Sequence, residues 1–405
     1  MRKQVIKKAI YGVMAHLLHY VLPVRRGLWI FGSDSGMTYR DGSKYLLEYM
    51  ISNHPDYECC FVTQSRDVYD VLKANRLPCV MNLTFSGIVK IARAECVFTT
   101  HVHADILFVH SKRNRKYIYL GHGQSMKIAY AALAKTSYRE REEFRTDKPV
   151  CAWMGQLRGV LHDWVMGSIT YRNYAFVVAT SEFLKKWVDL DFDHQVDVKI
   201  LGMPRNDVLF QPLRMAKEKW IDKLDGKFVI SYMPTHRLYG RGPLTPTPFE
   251  RMPEVQRWMR ENGVVLLVKN HPTMLLRLDA GEYHPYESDC IKDITTLGID
   301  PMTVVYHSDV LVTDYSSVWM DYLLLRRPII FYAYDDFVNN DVGVHFDPFE
   351  QKAGYNCYSE NELFETIKKI KQDYDAMRPS EDVVRKFHKY ADGNSCERFF
   401  RELAG

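Results

Sequence analysis

Short apolar runs separated by segments of helical period recur from residue 27 to residue 334, and no other feature constrains the fold as tightly. An apolar run of roughly four to eight residues bounded by turn residues reads as a strand. Strands alternating with helical patterns build βαβ units around a mostly parallel sheet. The first series of strand candidates is GLWIFGS (27–33), CCFVT (59–63), CVFTTHV (96–102), KYIYLGHG (116–123) and FVVATS (176–181). A second series comprises KFVISYMP (227–234), VVLLVKN (264–270), DVLVTD (309–314) and PIIFYAY (328–334). Helical periods fall at 43–54, 181–190, 253–263 and 316–327, in a charged stretch ending near Leu224, and in the final segments to Leu403. Residues 124–172 break the rhythm and read as a helical insertion facing acceptor or membrane.

At 405 residues the chain is too long for one ordinary core and suits two α/β domains. The economical architecture is two doubly wound domains facing a cleft, spanning 27–215 and 216–405, with the last helix able to cross back. A ligand is then expected at the carboxyl ends of the strands. Charged residues make up 26% of the chain with both signs mixed, which excludes a disordered polyelectrolyte. Eight cysteines without a CxxC pair point to a reduced, cytosolic chain.

Residues 1–26 hold Arg2, Lys3, Lys7, Lys8, Arg25 and Arg26 and no acid. Their apolar run, Ala9 to Leu22, is 14 residues long, short of the ~20 needed to span a bilayer, and no A-x-A cleavage site follows. An amphipathic helix on an anionic leaflet is expected, the alternative being a helix packed on the domain.

Three segments place chemistry at strand ends. In VTDYSSVWMDYLL (312–324) a strand ends at Thr313-Asp314, and Ser316 or Ser317 opens a helix whose N-terminus suits phosphate. In VKNHP, proline fixes His271 at a strand end, where it can donate to a phosphate oxygen. In LGHGQSMK, glycines flank His122, a natural general base for an attacking hydroxyl, and Lys127 offers a point charge. GMPRND adds Arg205 and Asp207 in a loop at the domain junction. YMPTHR adds Thr235, His236 and Arg237, the last either a phosphate ligand or a surface charge.

Other constellations carry less. Asp189, Asp191 and Asp193 read as a solvated acidic face. His101 and His103, two apart in the sequence, are not read as a metal site. No metal cluster, Walker loop or GxGxxG occurs, and the basic clusters match no nucleic-acid-binding module.

These residues resemble the CDP-glycerol glycerophosphotransferases of teichoic acid and capsule synthesis. The likeness runs from LWIFGSDSG to DGNSCERFF, with TDYSS and RRPIIFYAYD as its most specific part and HG, GMPRND, PTHR and NHP in the family's order. It implies a GT-B-like fold with an N-terminal acceptor and catalytic-base domain and a C-terminal donor domain. It implies that His122 is the base, and that His271, Thr313, Ser316 and Ser317 contact donor phosphates, with Arg237 beside them. Lys127, Arg205, Asp207, Thr235 and Asp314 would support donor or acceptor. The partners implied are a CDP-polyol, a lipid-linked or polymeric polyol-phosphate or glycan acceptor, and an anionic membrane at the cytoplasmic face. No cofactor is implied beyond a divalent cation that could accompany the donor. GHGQSMK stands where the family reads WHGTPLK, which leaves acceptor and polyol open. Ribitol phosphate or another CDP-alcohol is the nearest alternative, then a GT-B nucleotide-sugar glycosyltransferase, then a non-catalytic membrane scaffold.

Overall fold

Both apolar series fold into parallel sheets. The computed structural model describes residues 2–101, 105–109, 115–124, 126–128, 173–212, 224–235, 244–271, 273–335 and 343–404, apart from the side chains of 2–6, 273 and 276. The chain divides into two compact units. Unit 1 comprises Met1–His122, Ala129–Asp207 and Asn394–Gly405; unit 2 comprises Gly123–Ile128 and Val208–Gly393.

The strands of unit 1 are β1 (Arg25–Phe31), β2 (Glu58–Thr63), β3 (Cys79–Met81), β4 (Ala94–Thr99), β5 (Lys116–Tyr119), β6 (Phe176–Ala179) and β7 (Val198–Ile200). They form a seven-stranded sheet in the order β3-β2-β1-β4-β5-β6-β7. Its helices are α1 (Arg2–Val21), α2 (Asp41–Asn53), α3 (Arg66–Ala74), α4 (Phe85–Arg93) and α5 (Glu182–Asp191). Ser65, Thr84 and Ser181 cap α3, α4 and α5 by accepting from backbone N–H groups. Helices cover both faces, so the strands are buried almost throughout and read as continuous apolar runs rather than alternating ones. Phe31 lies in register with Phe61 and Phe98, and stacks on Phe98 at 4.6 Å in the middle of the core.

Unit 2 repeats the plan. Strands β8 (Phe228–Tyr232), β9 (Val264–Val268), β10 (Ile291–Asp293), β11 (Val310–Thr313), β12 (Ile329–Tyr332) and β13 (Tyr355–Cys357) are ordered β10-β9-β8-β11-β12-β13. Around them stand α6 (Pro253–Glu261), α7 (Thr273–Asp279), α8 (Pro301–His307), α9 (Val318–Leu323), α10 (Glu360–Gln372) and α11 (Glu381–Phe387). In both sheets the order reverses beside the first strand, between β1 and β4 and between β8 and β11. Such a reversal opens a crevice at the carboxyl ends of the strands.

The chain leaves unit 1 at His122. Residues 126–128 pair with unit 2 through an antiparallel bridge of Lys127 with Val344, flanked by Ile128 N–H donating to Gly343 O (2.9 Å) and His345 N–H to Met126 O (2.8 Å). The last helix, α12 (Ser395–Ala404), returns to unit 1 and packs against α2, where Phe400 stacks on His54 at 3.5 Å.

Several local expectations differ. The helix expected over 316–327 is the six-residue α9 followed by turns. Residues 204–210 form a 3-10 stretch rather than a loop. Asp191 is fully buried, unlike the solvated face expected of its run. The helix before Leu224 and the insertion at 129–172 lie outside the described residues. Helix α1 is apolar on two sides: Ala15, His16 and His19 are buried against the domain, His19 Nδ1 donating to Ala92 O in α4. Ile10, Leu17, Tyr20 and Val21 are exposed. Among the described residues no helix is long and apolar enough to cross a membrane. Seven described cysteines are buried, and among the described residues none forms a disulfide.

Candidate functional site

The site in unit 1 is built from loops leaving the carboxyl ends of four strands. β1 leads to Asp34, β4 to Thr100 and His101, β5 to His122, and β7 to Arg205 and Asp207. Gly121 turns the chain with φ +69°, a left-handed conformation that favours glycine, and so delivers His122 at the end of β5. His122 Nδ1 lies 3.1 Å from the carbonyl oxygen of Thr100. A carbonyl can only accept, so Nδ1 carries the proton and Nε2 the free lone pair. The ring stacks on His101 with centroids 4.2 Å apart and planes 8° from parallel. Arg205 Nη1 donates to the main-chain oxygen of His122 (2.6 Å) and pairs with Asp41 Oδ1 (3.1 Å) at the start of α2.

Although His122 keeps surface open to solvent, desolvation by the atoms packed around it is the largest cause of a pKa far below the imidazole range. His101 and Arg205 push the same way, while Asp41 and the Thr100 carbonyl pull it up. The outcome is a neutral imidazole at neutral pH, in the tautomer that accepts a proton at Nε2.

Asp105 organises this edge of the sheet. Its buried carboxylate accepts from Thr100 N–H (2.6 Å) and His101 N–H (2.9 Å) at Oδ2, and from Ser35 N–H (2.6 Å) at Oδ1. The Thr100 hydroxyl adds a fourth bond at 3.2 Å. Desolvation raises the Asp105 pKa and these donors oppose the rise. Asp34 pairs with Arg40 at 2.9 Å, and its Oδ1 stands 4.0 Å from His101 Nε2. Asp207 is committed elsewhere: its carboxylate accepts from the N–H groups of Ser395 (2.8 Å) and Cys396 (2.7 Å) and so caps α12.

In unit 2 the equivalent edge holds Thr235 after β8, His271 after β9 and Asp314 to Ser317 after β11. Thr235 N–H donates to Asp314 Oδ1 at 2.8 Å across the β8/β11 reversal, and Lys127 Nζ lies 3.5 Å from Thr235 Oγ1. Thr313 is fully buried and its hydroxyl donates to Met233 O at 2.7 Å. That bonding makes Thr313 a brace between strands where a phosphate ligand was expected. Ser316 and Ser317 are half-buried, and Ser317 opens α9 with no side-chain cap bond. With six residues α9 carries a modest dipole, so the two hydroxyls are the principal donors of this loop. His271 is exposed, its carbonyl accepting from Met274 N–H at the start of α7. His236 and Arg237 lie outside the described residues.

Sequence reasoning missed His101, Asp105, Asp34 and Asp41. The sequence considers His101 only beside His103, although its place immediately after β4 carries the same signal that marks His122 after β5. Among the described residues no group of three or more His, Cys, Asp or Glu is arranged to hold a metal ion.

Two doubly wound parallel units with polar groups at their carboxyl edges define the class of fold, and it is shared with a solved wall teichoic acid polymerase, TagF. The likeness has a TM-score of 0.71 at 19% identity, covering 100% of this chain and 93% of that one. A sequence profile of the family described as CDP-glycerol:poly(glycerophosphate) glycerophosphotransferase matches residues 14–405, and the chain belongs to that family. It is 25% identical to the teichoic acid ribitol-phosphate polymerase TarL of Staphylococcus aureus, over 93% of this chain and 62% of that protein. It is also 25% identical to the teichoic acid glycerol-phosphate transferase of the same organism, over 99% and 98%. The chain spans about half the length of several curated relatives it matches, 62%, 46% and 38% for three ribitol-phosphate polymerases.

Proposed function

We propose that this chain transfers a polyol phosphate, glycerol phosphate foremost, from a CDP-activated donor to a hydroxyl of a teichoic-acid-like or capsular acceptor, lipid-linked or polymeric, and releases CMP. The observation that carries this reading is His122: neutral, held by the Thr100 carbonyl in the tautomer with a free Nε2, at the carboxyl edge of a parallel sheet. Nε2 takes the proton of the acceptor hydroxyl as its oxygen bonds to the distal phosphorus. The bond from that phosphorus to the bridging oxygen breaks, and CMP leaves with the electron pair. Ser316, Ser317, His271 and Lys127 hold the pyrophosphate oxygens, with Thr235 set by Asp314 beside them. Arg237 belongs to the same proposed donor set. A positioned general base contributes about 10²–10⁴-fold, and preorganised donors to developing phosphate charge supply the rest.

Similarity to a ribitol-phosphate polymerase supports ribitol as the second donor to test. The exposed stripe of α1, with Lys7 beside it, supports seating on the cytoplasmic face of an anionic membrane. Incubation with CDP-glycerol, CDP-ribitol and UDP-sugars in the presence of acceptor tests the whole reading. CMP release with donor phosphorus retained in the product is expected. UDP release alone would assign the chain to sugar transfer.

A further inference from the structure

We propose that His101 is a positioning residue for His122, a flat platform that fixes the plane of the base and turns its Nε2 toward the acceptor hydroxyl; the catalytic part of this inference rests on the function proposed above.

The geometry is specific. Two imidazoles stacked at 4.2 Å and 8° leave His122 one rotational arrangement about its ring plane, and the bond from Nδ1 to the Thr100 carbonyl locks the remaining freedom. One residue supplies both constraints' anchor. The carbonyl of Thr100 is followed by His101 itself, and the peptide between them is clamped by Asp105, which accepts from both N–H groups. His101 Nδ1 lies 3.1 Å from Thr100 Oγ1, so the platform ring is held by the same turn that holds the base. Asp105 therefore fixes platform and carbonyl together, and the adjacent parallel strands β4 and β5 deliver the two rings from their neighbouring carboxyl ends.

The pair also has an electrostatic consequence. Like charges on rings in contact repel, so the stack tolerates one proton and resists two. The groups facing it are Asp34 and Arg40 after β1, Asp41 at the start of α2, Asp105 after β4 and Arg205 after β7. Asp34 and Asp105 lie on the His101 side at 4.0 and 3.9 Å, while Arg205 lies on the His122 side, donating to its main-chain oxygen. Burial also holds the His101 pKa below the imidazole range, with Asp41 and Asp34 opposing, so both rings are neutral at rest and His122 is the free base. In the reaction His101 stays neutral while His122 carries the acceptor's proton, stabilised by Asp41.

The substitutions that separate these roles are His101→Phe, which keeps a flat ring without a charge, and His101→Ala, which removes the platform. In CMP release from CDP-glycerol, His101→Ala should lower kcat by ~10²-fold with donor KM unchanged, the cost of a misplaced reacting group. His101→Phe should retain most of kcat and move the acid limb of the pH profile upward, because His122 no longer faces an ionisable neighbour. Histidine-selective NMR reads the same point without turnover. His122 should show an Nδ1–H tautomer in the unmodified protein and titrate at higher pH in His101→Phe. Equal kcat in both variants, or an unmoved His122 titration in a folded His101→Phe, overturns the inference. Absence of CMP release from the unmodified protein with every CDP-alcohol would instead defeat the functional reading, and the NMR arm would still decide whether His101 sets the state of His122.

Discussion

The two sheets share strand order but treat their carboxyl edges in opposite ways. In unit 1 the polar groups bind one another: Asp105 takes four donors, Arg205 spans Asp41 and the His122 carbonyl, and His101 lies flat on His122. In unit 2 the buried members, Thr313 and Asp314, brace the loop, while Ser316, Ser317 and His271 keep solvent-facing surface. A base must be aimed, and a closed network aims it at the cost of openness. A group that meets a mobile anionic ligand must be reachable, and so its support is placed behind it in the chain, at Thr313 and Asp314.

If that contrast holds, substitutions in unit 1 damage folding and turnover, and those in unit 2 damage donor affinity. Asp105→Ala is the harshest break. It strands three N–H groups, one buried and two partly buried, so it should destabilise the protein by about 3–5 kcal/mol in denaturant unfolding and abolish turnover. Asp105→Asn, which keeps an accepting oxygen, should recover part of the stability. A loss below about 1 kcal/mol for Asp105→Ala would show that the network does not organise the edge.

On the other side, Ser317→Ala and His271→Ala should each weaken CDP-glycerol binding by ~10-fold, about 1.4 kcal/mol, while stability in denaturant is nearly unchanged. Calorimetric titration separates this from the unit 1 behaviour, and unfolding by either change would erase the distinction.

A third effect is smaller and concerns pH. As the proposed base His122 acts in its neutral form, and its pKa is depressed, chiefly by desolvation. The base therefore stays competent as pH falls through ~6.5, the ordinary imidazole value, and the acid limb of log kcat lies below it. A limb at or above that value would mean that the packed network leaves His122 unperturbed.

The smallest effect separates both edges from the surface of α1. Leu17→Glu with Val21→Glu, at exposed positions, should lower recovery on anionic vesicles and leave turnover on a soluble acceptor unaltered. Equal recovery at low salt would remove α1 from membrane contact.

Much of this arrangement is legible in the residues. The long apolar runs became strands within a few positions, because strands of a doubly covered parallel sheet are apolar on both faces and need no alternation. Strands β3, β10 and β13 escaped notice: each has three residues, too few for any period to register. His122, His271 and the Ser316-Ser317 pair were visible as polar groups following apolar runs. Asp105 was not, because its value lies in N–H groups at residues 35, 100 and 101, one of them 70 positions away. Thr313 and Asp207 have ligand chemistry in sequence, yet one closes on Met233 and the other caps α12, commitments that only tertiary contacts reveal.

The most direct measurement pairs CMP release with CDP-glycerol calorimetry on His122→Ala. The account predicts a turnover loss of about 10²–10⁴-fold with donor affinity nearly intact, because the lost group acts on the acceptor's proton and not on the donor in its ground state. Near-normal turnover would remove His122 from the chemistry, and lost donor binding with residual turnover preserved would place it among the donor's ligands.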